Sequence, residues 1–262
     1  GLSAAIFEKS TREDWEEALA CGFQAAELTV NTGVCTLSAK EWISQAEARL
    51  QGIREAGVQL WTVHIPYGEM WNPSEANSNL RKENCIRIGE VLKAASHWGA
   101  RGAVLHGSYE PVSTDPAERD VQLKFLEESM AQLNKEASSL GLFLALENLP
   151  RTCLGNCSRE MAQATAGGAA ICFDVNHLLQ EDHSAFLKAV GDRIRTVHLS
   201  DYDFLDECHW LPGDGKIQWP ELLDGLEAVG YDGPLLVEIS SRRLPGIGPR
   251  AVALKFRAVT KS

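Results

Sequence analysis

Eight short apolar runs, each followed by an amphipathic helical stretch, predict a closed parallel (β/α)8, or TIM, barrel. Three observations carry this. The runs are apolar throughout rather than alternating, as parallel strands covered on both faces are. The intervening stretches open on capping residues and close on glycine. And 262 residues suit eight such units folded as one domain, 1–262. The competing architecture, an open doubly wound sheet, would place a Gly-rich phosphate loop after an early strand. No GxGxxG or GxxxxGK[ST] occurs in the chain.

In chain order, the expected strands are LSAAIF (2–7), AAELTV (25–30), QLWTVHI (59–65), GAVLH (102–106), LFLALE (142–147), AAICFD (169–174), IRTVHLS (194–200) and PLLVEIS (234–240). The first helix, 11–22, starts at Thr11 and stops at Gly22. The second, 37–57, takes Ser38 as N-cap and stops at Gly57. Stretches 78–100 and 115–141 follow the same plan, and shorter ones occupy 158–165, 183–191, 219–230 and 248–258. Trp15, Trp42 and Trp98 fall on helical segments and are expected to pack against the barrel.

Composition narrows the function. Hydrophobic residues make up 44% and charged residues 23%, ordinary for a globular chain with a sizeable core. Net charge is −11 with no basic run, so a nucleic-acid partner is not expected. No apolar stretch reaches the ~20 residues of a membrane span, so no membrane partner is expected either. Seven cysteines without regular spacing do not form a disulfide framework, and Cys153 and Cys157 lack the second pair a zinc knuckle needs. A cytoplasmic location is expected, and a leader removed ahead of Gly1 is compatible with the sequence.

Active sites of such barrels lie at the C-terminal ends of the strands. The third to eighth runs end in His64, His106, Glu147, Asp174, His198 and Glu238. Strand ends of a small barrel converge on one axis. Gathered carboxylates repel and take up protons unless a cation neutralises them. Two glutamates, an aspartate and a histidine offer three oxygens and one nitrogen, a set suited to Mn²⁺, Mg²⁺ or Co²⁺, with Zn²⁺ also accommodated. His64, His106, His177 and His209 would form a further nitrogen-rich ring that binds substrate, supports the ligands or holds additional zinc.

The motifs GFQAAEL, LHGS, LENLP, CFDVNH, VHLSD with HWLPGDG, and VEIS resemble the xylose isomerase-like barrel superfamily over nearly the whole chain. That superfamily includes sugar isomerases and epimerases, inosose-processing enzymes and the endonuclease IV class (AP endonuclease family 2). The resemblance implies a carbohydrate substrate and one divalent metal on Glu147, Asp174, His198 and Glu238. Glu147 and Glu238 would be acid and base on opposite substrate faces, and His177 would contact substrate oxygens. The implied reaction is proton abstraction through a metal-stabilised enediolate. One departure stands out: DECHWLPGDG replaces the arginine-rich stretch that follows the seventh-strand histidine in ketose 3-epimerases.

Two alternatives stay open. One is a dehydratase or lyase acting on a polyol or keto acid such as an inosose or dehydroshikimate. The other is a trinuclear zinc phosphodiesterase. It would use His64, His106, Glu147, Asp174, His177, His198, His209 and Glu238, with Glu207 and His209 as ligands of an additional metal. Further substrate contacts are expected from Trp71 in YGEMWNPS, beside Tyr67 and Glu69, and from Arg151 after LENLP. Arg242 and Arg243, after VEIS, are candidates for the same role as Arg151. Glu27, mid-strand, either orients a substrate-binding group or forms an inner salt bridge. His97 and His183 read as structural or exposed. The outer faces of such barrels would allow a homodimer.

Overall fold

The computed structural model describes residues 1–30 and 33–260. Seven parallel strands follow one another in chain order: β1 (Leu2–Ser3), β2 (Ala25–Leu28), β3 (Gln59–His64), β4 (Gly102–His106), β5 (Phe143–Glu147), β6 (Ala170–Asp174) and β7 (Ile194–His198). Eight helices accompany them: α1 (Arg12–Ala20), α2 (Ala39–Glu55), α3 (Ser78–Trp98), α4 (Pro116–Ser139), α5 (Ser158–Ala164), α6 (His183–Val190), α7 (Trp219–Ala228) and α8 (Pro249–Thr260). Among the described residues no helix is long and apolar enough to cross a membrane.

The caps behave as their residue types require. Thr11 and Ser38 close capping boxes with Asp14 and Glu41, and Asn77, Asp115 and Asp182 accept first-turn N–H groups. Trp15 and Trp42 are fully buried and Trp98 nearly so, and among the described residues no disulfide joins the cysteines.

The two ends of the chain differ from expectation. The first apolar run yields only a two-residue strand, because the Ser3 hydroxyl accepts from Ala5 N and starts a 3-10 turn over Ala4–Ile6. The eighth run, 234–240, forms no regular strand. Val237 alone bridges both neighbours in parallel, Leu2 on one side and Leu199 on the other. Ser3 N donates to Val237 O (3.0 Å), Val237 N to Gly1 O (3.0 Å), and Glu238 N to Leu199 O (3.1 Å). Pro234 has no N–H to extend that seam. This short junction still fixes the backbone of Glu238 beside β7.

Period-two alternation explains which side chains share the inner face. Val104, Ala145 and Cys172 form a small apolar cluster separate from the main core. Two residues further along the same strands stand His106, Glu147 and Asp174. Thr62 and His64 on β3, and Thr196 and His198 on β7, repeat the pattern. The main core packs the outer face of the sheet against the helices.

Candidate active site

Glu147, Asp174, His198 and Glu238 converge as the strand ends predict: one ligand atom of each lies within 4.8 Å of the others. The His198 ring faces this group through Nδ1, which is 3.0 Å from Glu147 Oε1, 3.4 Å from Glu238 Oε2 and 4.0 Å from Asp174 Oδ2. Its other nitrogen, Nε2, donates to Glu27 Oε2 at 3.0 Å. Thr62 Oγ1 donates to the same oxygen at 2.9 Å. Glu27 therefore belongs to the site, although the sequence left it between two roles.

Glu147 is sealed, at 1% exposure, and surrounded by imidazoles. Its Oε2 faces His64 Nε2 (3.2 Å) and His106 Nε2 (3.1 Å), and its Oε1 faces His198 and, at 3.5 Å, His177. Burial works to raise its pKa, but His198 and His106 hold it well below the usual carboxylate range. The same carboxylate holds the His64 imidazolium, up to about 9 against the opposing effect of burial.

Asp174 stands in the opposite situation. Burial, reinforced by Glu147 and Glu238 against the opposing pull of His177, pushes its carboxyl up to about 8. Its Oδ2 is buried with no hydrogen-bond partner, and a buried oxygen in that state has a cost. Its backbone is fixed by Asn148, whose amide donates to Asp174 O and accepts from Asp174 N, both at 2.8 Å. A buried carboxylate oxygen that accepts no hydrogen bond, 3.4 Å from His177 Nδ1 and held beside two further carboxylates and the His198 nitrogen, suits a divalent cation. The donor set fits such an ion.

Around this group lies a cleft of about 350 Å³. His64, His106, His177 and His209 all line it, as do Glu207, Arg151 and Arg243. His177 Nε2 meets Glu207 Oε2 at 3.3 Å. Burial lowers the His177 pKa, but Asp174 and Glu207 raise it to about 10, and hydrogen bonding to His177 depresses Glu207. His209 is lowered to about 4 by burial. His209 and Arg151 both adopt left-handed backbone (φ 50° and 51°), a conformation costly for residues with a Cβ and concentrated at functional sites. Asn176 Oδ1 accepts from His209 N (3.3 Å) and Cys208 N (3.0 Å), tying that loop to the end of β6.

Trp71 is the exception among the expected substrate contacts. It is 1% exposed and absent from the cleft wall. Its 3-10 turn, Glu69–Trp71, packs on α3, where the Asn84 amide holds Glu69 O and Asn72 O. Tyr67 and Tyr109 line the cleft instead, with Tyr67 stacked on His106, ring centres 4.6 Å apart. Arg151 does line the cleft, but its guanidinium is engaged by Glu110 (3.0 Å), Asp206 (2.7 Å) and Glu207 (3.7 Å). Arg243 donates to Glu207 at 2.6 Å, while Arg242 lines a neighbouring cavity. His97 is exposed, and His183 is half-buried with Nε2 on Val175 O. Glu110, Asp206, Asn148 and Asn176 were not singled out from sequence. Glu110, in LHGSYEP just beyond the fourth strand, carried the one usable signal.

A parallel sheet in sequential order with acid and imidazole groups at its C-terminal ends is the arrangement of a barrel with a metal-capable site. The sequence matches the xylose isomerase-like TIM barrel family over residues 15–258, and the chain belongs to that family. It is similar to the uncharacterized protein MJ1311 of Methanocaldococcus jannaschii, with 26% identity over 187 residues. That match covers 67% of this chain and 63% of the relative, so it spans under two thirds of the relative's length. It is also similar to fructoselysine 3-epimerase of Escherichia coli O157:H7, with 23% identity over 73% of this chain and 72% of the relative. In fold it is similar to the apo crystal structure of 3-keto-D-glucoside 4-epimerase from E. coli (TM-score 0.77, 19% identity, 100% of this chain and 98% of the other).

Proposed function

We propose that the chain is a divalent-metal-dependent isomerase or epimerase that moves a proton on a carbon adjacent to a carbonyl of an uncharged sugar. The observation that carries this reading is the convergence of one ligand atom each from Glu147, Asp174, His198 and Glu238, with Asp174 Oδ2 buried and accepting no hydrogen bond. A bound divalent ion would supply Lewis acidity, polarising the substrate oxygens and making the neighbouring C–H more acidic.

The chain's own groups do the rest. Glu238 is 18% exposed at its side chain and lines the cleft, so a carboxylate oxygen there can reach a substrate proton. Glu147, across the cluster, takes the complementary acid–base role, with His64 and His106 on its Oε2 able to pass a proton toward the cleft. His209 offers a ring nitrogen to hydroxyl groups, His177 reaches them together with its partner Glu207, and Tyr67 presents an aromatic face to the same cleft. At the rim, Arg151 and Arg243 are already matched by Glu110, Asp206 and Glu207. A phosphate would have to displace those carboxylates, which supports an uncharged substrate.

The test is solvent-deuterium exchange into a panel of ketoses and keto-sugars with Mn²⁺ present. Exchange is expected in the wild type and lost in Glu147→Gln and Glu238→Gln. No exchange across the panel would count against proton abstraction. One observation favours a second reading, a multi-metal phosphodiesterase: His64, His106 and Glu147, and Asp174, His177 and His209, are further metal-capable groups. Three zinc ions per chain would select it over the isomerase.

A further inference from the structure

We infer that Glu27 is a positioning residue whose carboxylate fixes the ring of His198 so that Nδ1 presents its lone pair to the cation site. This rests on the metal-site reading above. Glu27 lies on β2, on the far side of the His198 ring from Glu147, Asp174 and Glu238, and is fully buried. His198 Nδ1 faces the three ligand carboxylates, whereas Nε2 is 3.0 Å from Glu27 Oε2. An imidazole that binds a cation through Nδ1 carries its proton on Nε2, and that proton points at Glu27. A carboxylate on the outer N–H orients the ring and strengthens the nitrogen as a donor.

Two details argue that this is not merely packing. Thr62 Oγ1 donates to the very oxygen that receives Nε2–H, so Oε2 is held in place by a second strand. The other oxygen, Oε1, is buried with no hydrogen-bond partner. A fully buried carboxylate with half its acceptor capacity unused is a poor device for stability. A neutral side chain of the same shape would pack as well without that cost. The structure retains this charge against the outer nitrogen of a ligand imidazole.

The experiment compares the metal-free and metal-loaded forms of the wild type, Glu27→Gln and Thr62→Val. Mn²⁺ affinity is measured by competition with a chelator, and the His198 ring is followed by ¹⁵N–¹H NMR in the Zn²⁺-loaded protein. Glu27→Gln is expected to bind Mn²⁺ about 10–100-fold more weakly. Its Nε2–H resonance should move upfield as the charged acceptor is lost, and the thermal midpoint of its metal-free form should be unchanged or higher. Thr62→Val, which leaves Glu27 in place but unanchored, should show a smaller loss of affinity in the same direction. A lowered metal-free midpoint with unaltered Mn²⁺ affinity and Nε2–H shift would reduce Glu27 to a structural role and overturn the inference. Wild-type protein that takes up neither cation would overturn the metal-site reading itself, and the inference with it.

Discussion

Asp201 offers a sharp test of how the loop after β7 is held. Its carboxylate is fully buried and accepts four bonds. Oδ1 takes Tyr202 N (2.9 Å) and Ile217 N (3.2 Å), while Oδ2 takes Gly213 N (2.7 Å) and Trp219 Nε1 (2.9 Å). The segment between these anchors carries Glu207 and His209 into the cleft. Asp201→Asn keeps one oxygen and turns an NH2 toward two donors. Two bonds to a charged acceptor are lost, each worth about 1.5–3 kcal/mol, and relaxation should leave a net cost of about 3 kcal/mol. For a chain of this size that lowers the melting temperature by about 6–12 °C. Thermal unfolding followed by near-ultraviolet circular dichroism, sensitive to Trp219, measures it. Gly215→Ala should act on the same contact, since its Cβ would press on Asp201 Oδ1 and the Tyr202 backbone, so the double variant should fall short of additivity. A shift below about 2 °C for Asp201→Asn would show that the carboxylate does not hold the loop.

Other outcomes follow from the same geometry. Mn²⁺ at about 100 times its dissociation constant should stabilise the wild type by about 2.7 kcal/mol, read as a rise in melting temperature that a chelator reverses and Asp174→Asn abolishes. Glu238→Gln should lower turnover by about 10²–10⁴-fold while the protein still folds, as its circular dichroism would confirm. The phosphorylated form of any sugar the enzyme accepts should show a lower kcat/KM than the parent sugar, because Arg151 is engaged by Glu110 and Asp206. His183 gives a pH effect away from the cluster. Burial lowers its pKa against the opposing influence of the Val175 carbonyl, Asp182 and Asp201. With the folded value below the unfolded value of about 6.5, protonation favours the unfolded chain as pH falls, so His183→Gln should lose less stability than the wild type on acidification.

The site's chemistry was more legible in the sequence than its shape. Parallel strands must present their last residues to one axis, so Glu147, Asp174, His198 and Glu238 could be read from where apolar runs stop. The length of each strand could not. PLLVEIS has the composition of a buried strand, yet only Val237 bridges its neighbours, because closure depends on the register of the whole ring. Trp71 differs for a related reason: a loop aromatic points to the cleft or to the core according to a single short turn, here Glu69–Trp71, and Tyr67 took the cleft. Glu27 was ambiguous because its partner, His198, lies 171 residues away. The rim pairs of Arg151 and Arg243 join separate loops, and no local pattern announces them.

The proposed function requires Glu147, Asp174, His198 and Glu238 together to hold one divalent ion. Anomalous diffraction from crystals grown with Mn²⁺ measures this directly. One strong peak is expected, bonded to a carboxylate oxygen of each acid and to His198 Nδ1, with His198 Nε2 still on Glu27. No peak among these four side chains, or a peak only between His64 and His106, would contradict it.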